Sequence, residues 1–293
     1  MRFQVLRDGE VCGHWCGYLV KKFGMSVFGA PLPGTGTDYM YPLFRTAPPA
    51  GEFLQAVRRW AVEARIGLVE VGGEYFDGPS LTAGGFRLQP TRTYRVDLSG
   101  DEAAVWQHLK PAMRNKVRKA EKQGVTVVED TAPTFAAEFF DMLRSVFNRQ
   151  GKAPTYDLRR IEVVTRILGA AGRLQALTAM HEGQRLASVI LLFDHRAAYF
   201  WAGASYTSAY PFGANDLIQW RAMQSARTRG LRCYDACGGG EYKEKLGGTL
   251  VSLPAGHLVL SPVFGLVRRS VIQGFRARQA LLGAVQRLSA GLR

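Results

Sequence analysis

Tyr242-Lys243-Glu244-Lys245-Leu246-Gly247-Gly248 is the segment whose residue types point most directly to chemistry. An ammonium beside glycine-rich backbone stabilises an oxyanion or holds a phosphate, because bare backbone lets a substrate approach closely. An earlier stretch, Gly72-Gly73-Glu74-Tyr75-Phe76-Asp77, shares the tetrapeptide of Gly239-Gly240-Glu241-Tyr242 but lacks the lysine. A cation in only one of two related segments marks that segment as the specialised one; an ordinary surface lysine is the competing account. A charged side chain in a glycine-rich loop is not expected in a core, so Lys243→Ala is expected to spare folding. Lys245, equally basic and off the motif position, is the natural comparison. Glu241 and Asp235 are general-base candidates by position only.

Three further groups carry charge or aromatic surface. Arg149-Gln150-Gly151-Lys152 with Tyr156 sets two cations and a phenol in one turn, which suits a diphosphate. A solvated helix end with favourable dipole placement accounts for the same residues. Arg114, Arg118 and Lys122 recur at helical spacing and form a basic stripe for an RNA backbone or a substrate phosphate, or a plain solvated face. Tyr199, Trp201, Tyr206 and Tyr210 cluster on one strand and loop; the alternate positions 199 and 201 share a face and line either an acceptor groove or a core. Cys12, His14 and Cys16, and the distant pair Cys233 and Cys237, lack zinc-knuckle spacing, so reduced, packed thiols and no metal are expected.

The elements that position these residues follow from periodicity. Phe53, Val57, Trp60, Ala61 and Ala64 fall on one helix face, with Gly67 as the stop. Thr93–Leu98 reads as a strand, and Pro111 opens a helix that runs to Gln123 before Gly124. Thr134 and Asp157 cap two helices, Phe135–Arg149 and one ending near Gly169. Leu174–His181, Arg185–Phe193 and Ala197–Gly203 form an antiparallel meander with turns at Glu182-Gly183 and Asp194-His195. Phe264–Leu288 is a basic amphipathic helix that packs on the body, lies on a membrane surface or contacts RNA.

Helix, Gly67-Leu68, strand, tetrapeptide and Gly84-Gly85 recur in the same order as helix, Gly230-Leu231, strand, tetrapeptide and Gly247-Gly248, which indicates a duplicated α/β unit. The expected organisation is α/β with mixed sheets: domain 1 over 1–130, domain 2 over 131–262, and a carboxyl-terminal helix over 263–293.

The Tyr242-Lys243-x-x-Leu246-Gly247-Gly248 segment resembles the aromatic-Lys-x-x-Phe-Gly-Gly motif of the Fem-type aminoacyltransferases. Arg114-Asn115-Lys116-Val117-Arg118-Lys119-Ala120-Glu121-Lys122-Gln123-Gly124-Val125 is similar to the segment that ends their first domain. The resemblance, which covers nearly the whole chain, implies two tandem GNAT-like domains and transfer of an aminoacyl group from aminoacyl-tRNA to an amine in a peptidoglycan or other cell-envelope precursor. It also implies that Lys243 assists acyl transfer and that the Arg149, Lys152, Tyr156 turn grips a phosphate-bearing acceptor. Tyr242 and the four aromatic residues 199, 201, 206 and 210 then belong to the substrate groove.

Composition agrees with a polyanionic partner. The 293 residues carry a formal net charge of +14, and 47% are hydrophobic, enough to fill two cores and too unbiased for disorder. An arginine-rich proteome is the competing account of the charge. The amino terminus lacks a signal-peptide core and no apolar run spans a bilayer, so a cytoplasmic protein with peripheral membrane contact at most is expected. CoA users cradle a pyrophosphate on glycine-rich backbone before the main helix. Here that place reads Ser208-Ala209-Tyr210-Pro211-Phe212-Gly213-Ala214-Asn215, where Pro211 removes a donor. An N-acyltransferase using aminoacyl-tRNA as co-substrate, with no resident cofactor, is therefore preferred. The alternatives are an acyl-CoA-dependent enzyme acting on a sugar or polysaccharide precursor, and a non-catalytic RNA- or membrane-binding protein on the same scaffold.

Overall fold

The structure, a computed structural model, describes residues 1–22, 25–151, 154, 156–261 and 264. Lys152 and, but for Phe264, the helix expected over 263–293 lie outside the described residues.

In chain order the elements are β1 (Arg2–Arg7), β2 (Glu10–Cys16), β3 (Tyr18–Lys22), β4 (Met25–Ala30), β5 (Leu43–Phe44), α1 (Ala50–Glu63), β6 (Leu68–Gly72), α2 (Gly78–Ala83) and β7 (Arg87–Leu88). There follow β8 (Thr91–Asp97), α3 (Glu102–His108), α4 (Pro111–Lys122), β9 (Thr126–Glu129), α5 (Phe135–Arg149), α6 (Leu158–Ala170), β10 (Leu174–His181), β11 (Gln184–Phe193) and β12 (Ala197–Ser205). The last are α7 (Ala214–Thr228), β13 (Cys233–Asp235), a 3-10 turn over Glu241–Leu246, β14 (Thr249–Leu253) and β15 (Ala255–Val259).

The chain folds as two compact units, Met1–Thr91 with Leu253–Arg293, and Arg92–Ser252. The division falls after 91 and 252, where the sequence suggested 130 and 262. The reason is local: β9 pairs with β10, and α4 shares a core with α7, so residues 92–130 belong to the second unit.

The first unit holds a three-stranded sheet, β1-β2-β5, and a five-stranded sheet, β3-β4-β6-β15-β7. The second holds one seven-stranded sheet, β14-β8-β13-β12-β11-β10-β9. The two larger sheets share a plan. In each, two strands run parallel (β4 with β6, β12 with β13), and an antiparallel strand from a distant part of the chain follows, β15 in one and β8 in the other. The chain thus supplies β8 to the second unit before building it, and β15 to the first unit after leaving it.

The duplication is present, in a slightly different register from the one the glycines suggest. Each copy runs helix, strand, short helix, Gly-Gly, strand. The left-handed residue that ends α1 is Arg65 (φ 53°), matched by Gly230 (φ 76°) after α7. Pairing Arg65 with Gly230 also pairs Glu63 with Thr228, the two helix ends, and Leu68 with Cys233, the two strand starts. Gly67 is therefore not the helix stop. It is glycine because a Cβ there would lie 2.1 Å from the Phe264 ring.

In the second unit α4 and α7 cover one sheet face over Met113, Val117, Leu217, Trp220 and Tyr234. On the other face, α5 and α6 cluster Phe139, Met142 and Ile161 against Ile190, Trp201 and Ala202. Side chains on one strand face opposite sides in alternation, so a single inserted residue exchanges the faces. β12 has such an insertion: Ile190 pairs with Ala202 while Leu191 pairs with Phe200, which leaves Trp201 as the bulged residue.

Candidate active site

β12 and β13 run parallel only from Ala197↔Cys233 to Tyr199↔Asp235. Beyond that point residues 235–238 turn toward β8. The Asp235 carboxylate accepts from Thr93 Oγ1 at 2.6 Å, Arg95 Nε at 2.8 Å and the Cys237 N–H at 2.8 Å, and the Ala236 N–H donates to Tyr94 O at 2.9 Å. A fork opens between the two parallel strands, and the Lys243 ammonium sits at it. Lys243 Nζ donates to Ala236 O at 2.6 Å and Cys237 O at 2.9 Å, and lies 5.5 Å from the centroid of Phe200, the first β12 residue past the last pair.

Lys243 is only 8% exposed, which corrects the expectation of a surface lysine. A buried ammonium persists only where oxygens and ring faces replace its water, and here two carbonyls and the Phe200 and Tyr242 rings do so. Gly247 and Gly248 make this packing possible. With φ of 77°, Gly247 has its missing Cβ position 2.1 Å from His108 O, and that of Gly248 is 2.6 Å from Arg95 O. The 3-10 turn is held further by the Lys110 N–H on Lys245 O and by Lys245 Nζ on Asp216, 2.6 Å away.

A cavity of about 330 Å³ lies beside the fork. The Trp201 bulge brings Phe200, Gly203 and Ser205 to it from β12; Ile218 and Gln219 reach it from α7, and Tyr242 and Lys245 from the 3-10 turn. A larger cavity, about 460 Å³, is lined by Asp130, Phe135, Glu162 and Gln175 and touches none of the motif residues. Chemistry and not size selects the smaller one, since Phe200 and Tyr242, the two rings against the buried cation, line it.

The other expected residues divide. Tyr210 and Tyr242 line the cavity, and Arg149 reaches its edge, with Nη2 3.3 Å from Ser205 O and 3.5 Å from the Tyr210 hydroxyl. Trp201 is a core residue on the α5–α6 side, where the Tyr156 ring packs against it, tilted, at 4.7 Å and the Tyr156 hydroxyl donates to Trp201 O. Tyr206 packs in the same cluster, and the Tyr199 hydroxyl donates to Asp194 Oδ2 at 2.8 Å, locking the β11–β12 turn. Tyr156, Tyr199, Trp201 and Tyr206 thus serve the core and a turn; for Tyr199 and Trp201 the bulge is what turned them from the cavity. Phe200, Gln219 and Asp216 carried no signal beyond their place in a strand or helix pattern.

The basic stripe on α4 is partly spoken for. Arg114 Nη1 donates to Gln107 O at 2.8 Å and Leu109 O at 2.5 Å, which satisfies carbonyls at the end of α3. Arg118 lies over the Trp106 ring at 5.5 Å, and Lys122 is exposed. Neither acid proposed as a general base is placed for that role: Asp235 is buried under three donors, and Glu241 is solvent-exposed.

Residues 108–245 match the family model described as Acetyltransferase (GNAT) domain. Among solved structures the chain is similar to FemX, at 17% identity and a TM-score of 0.70, over 91% of this chain and 90% of that one. It is also similar to L-PGS from Bacillus licheniformis, at 14% identity and TM-score 0.56, over 84% and 81% of the two chains. A tandem GNAT protein from the clavulanic acid biosynthesis pathway aligns at 13% identity and TM-score 0.54, over 89% and 83%. No curated protein sequence matches. The chain has the mixed α/β fold of tandem GNAT proteins, and its acetyltransferase-type domain makes it an acyltransferase.

Proposed function

We propose that this acyltransferase forms an amide on an amine-bearing, phosphate-containing acceptor, with aminoacyl-tRNA as the acyl donor. The observation that carries the reading is the buried Lys243 ammonium at the β12–β13 fork, beside a cavity lined by Phe200 and Tyr242. The acceptor nitrogen, as free amine, attacks the ester carbonyl carbon. A C–N bond forms, the carbonyl–ribose oxygen bond breaks, and the proton shed by the amine ends on the departing ribose oxygen. Lys243 acts through its field: a full positive charge in a poorly solvated interior lowers the energy of the negative charge that develops on the carbonyl oxygen. Arg149 and Tyr210, at the cavity edge, are suited to the acceptor's phosphate.

The net charge of +14, Pro211 in the place of a pyrophosphate-binding amide, and the likeness to FemX support the tRNA donor. Gly213 caps α7 in a left-handed conformation, with its missing Cβ position 2.8 Å from Lys116 O. A second reading, acyl-CoA as donor to a sugar or polysaccharide precursor, is favoured by the acetyltransferase description of the matched family. No helix among the described residues is long and apolar enough to cross a membrane. The deciding experiment is equilibrium binding of charged tRNA and of acetyl-CoA to the purified chain across a salt series. The reading requires tRNA affinity that falls on the order of 10³-fold for a fourfold rise in salt. Tight acetyl-CoA binding without tRNA binding selects the second reading, and binding of neither selects a non-catalytic protein.

A further inference from the structure

Gln219 is a buried amide, 6% exposed, on the wall of the cavity beside the fork. α7 presents Asn215, Ile218 and Gln219 to that cavity at one-turn spacing, so the three share a helix face. The rest of the wall near Gln219 is largely apolar, with Phe200, Val189, Ile218 and Leu246. A primary amide among such groups is costly unless both its ends are used. One end is used: Gln219 Oε1 accepts the Tyr234 hydroxyl at 2.6 Å. Tyr234 is itself fully buried, and burial, first of all, raises its phenol well above the ordinary value, so it stays a protonated donor. A buried O–H needs an acceptor, which orients the amide with Oε1 toward Tyr234 and the Nε2 donors away from it.

We propose that Gln219 is a substrate-contacting residue whose Nε2, oriented by Tyr234, donates a hydrogen bond to the carbonyl oxygen of the acyl group seated in this cavity. The inference rests on the acyltransferase reading above and adds the group that recognises the acyl carbonyl. Tyr234 is a positioning residue, since it acts through Gln219. The same geometry gives this buried glutamine two uses: its oxygen side is structural and its nitrogen side is for the ligand.

The test measures how much the acyl group itself adds to binding. Alanyl-tRNA is compared with uncharged tRNA, and acetyl-CoA with CoA, for the wild-type chain, Gln219→Met, Tyr234→Phe and the double variant. Methionine keeps the side-chain volume, and thermal melts of each variant establish that it is folded; Gln219→Glu, which keeps the oxygen for Tyr234 and removes the Nε2 donors, serves if Gln219→Met is not. The expected result is that one donor binds the wild type more tightly when acylated, and that Gln219→Met or Gln219→Glu removes about five- to tenfold of that preference with little change for the unacylated form. Tyr234→Phe lowers the preference in part, and the double variant loses no more than Gln219→Met alone. A folded variant that keeps the wild-type preference overturns the role of Gln219 and leaves the acyltransferase reading standing. A wild type that binds a donor without any acyl preference also overturns it, because the cavity then holds no acyl group. Binding of neither donor overturns the reading and the inference together.

Discussion

Lys245 and Asp216 form an ion pair, Nζ to Oδ1 at 2.6 Å, that ties the 3-10 turn carrying Lys243 to the first turn of α7. The Asp216 side chain is only 4% exposed, while that of Lys245 is 27% exposed. The carboxylate sits where a helix amino terminus favours negative charge, but burial makes its partner necessary.

Loss of one partner should therefore cost more than loss of both. Lys245→Met leaves a buried, unpaired carboxylate and should destabilise the fold by about 3 kcal/mol, the lower end for such pairs because Lys245 is partly solvated. Lys245→Met with Asp216→Asn should recover at least half of that loss. Urea-denaturation midpoints of the wild type, the two single variants and the double variant check this. A double-variant loss equal to the sum of the two single losses would mean the pair contributes nothing as a pair. Lys245 is thus no neutral comparison for Lys243, contrary to what its place in the sequence suggested.

Lys243 should show two separable effects. Lys243→Met leaves the Ala236 and Cys237 carbonyls without this donor, which should cost about 2–4 kcal/mol of stability. It should also lower turnover roughly 10²-fold in protein shown to be folded at the assay temperature. Lys243→Arg keeps the charge and should recover part of the stability, while the larger guanidinium, misplaced at the fork, leaves turnover low. If turnover per folded molecule is unchanged in Lys243→Met, the ammonium is a structural pin alone.

What the sequence discloses here is the scaffold. The meander, the Asp157 cap on Arg160 N at 2.8 Å, Pro111 at the start of α4 and the left-handed Glu182-Gly183 turn are local matters of periodicity and backbone preference. The motif lysine was visible as well, through the duplication. Its burial was not, because that depends on β13 leaving β12 for a strand more than a hundred residues earlier. The one-residue bulge at Trp201 was equally hidden: strict alternation groups Tyr199 with Trp201, and nothing local to the sequence announces the inserted residue. That single insertion is why Phe200 borders the cavity and Trp201 fills a core.

Acid should unfold the second unit partly through Asp130. Burial raises its carboxyl, but hydrogen bonds from Thr178 and Arg185, the Arg185 charge and the Ala132 N–H together hold it below the ordinary 3.8. Arg185 also pairs with Glu138, so the network joins β11 to α5. Since the folded form binds this proton less readily than the unfolded chain, the contribution is complete above the unfolded value and is lost as pH falls through the folded one. Stability measured from pH 6 down to 2 should therefore drop below about pH 4, and Asp130→Asn should make that acid limb shallower. An unchanged limb in a folded Asp130→Asn protein would assign the acid loss to other carboxylates.

The α4 stripe offers the sharpest separation of structural from nucleic-acid cations. Arg114 already satisfies the Gln107 and Leu109 carbonyls, whereas Lys122 is exposed at the far end of the same helix. If tRNA is a partner and this face meets its backbone, Lys122→Ala should remove one phosphate contact. The slope of log affinity against log salt should then fall by roughly one, with stability within about 0.5 kcal/mol of wild type. Arg114→Ala should do the reverse: it leaves two carbonyls without that donor and lowers stability by about 1–3 kcal/mol, while the salt slope is kept. Arg118, stacked on Trp106, should fall between them. Filter binding across a salt series, beside denaturation curves for the same three variants, reads both quantities. A salt slope that none of the three substitutions alters would remove α4 from the tRNA-binding surface.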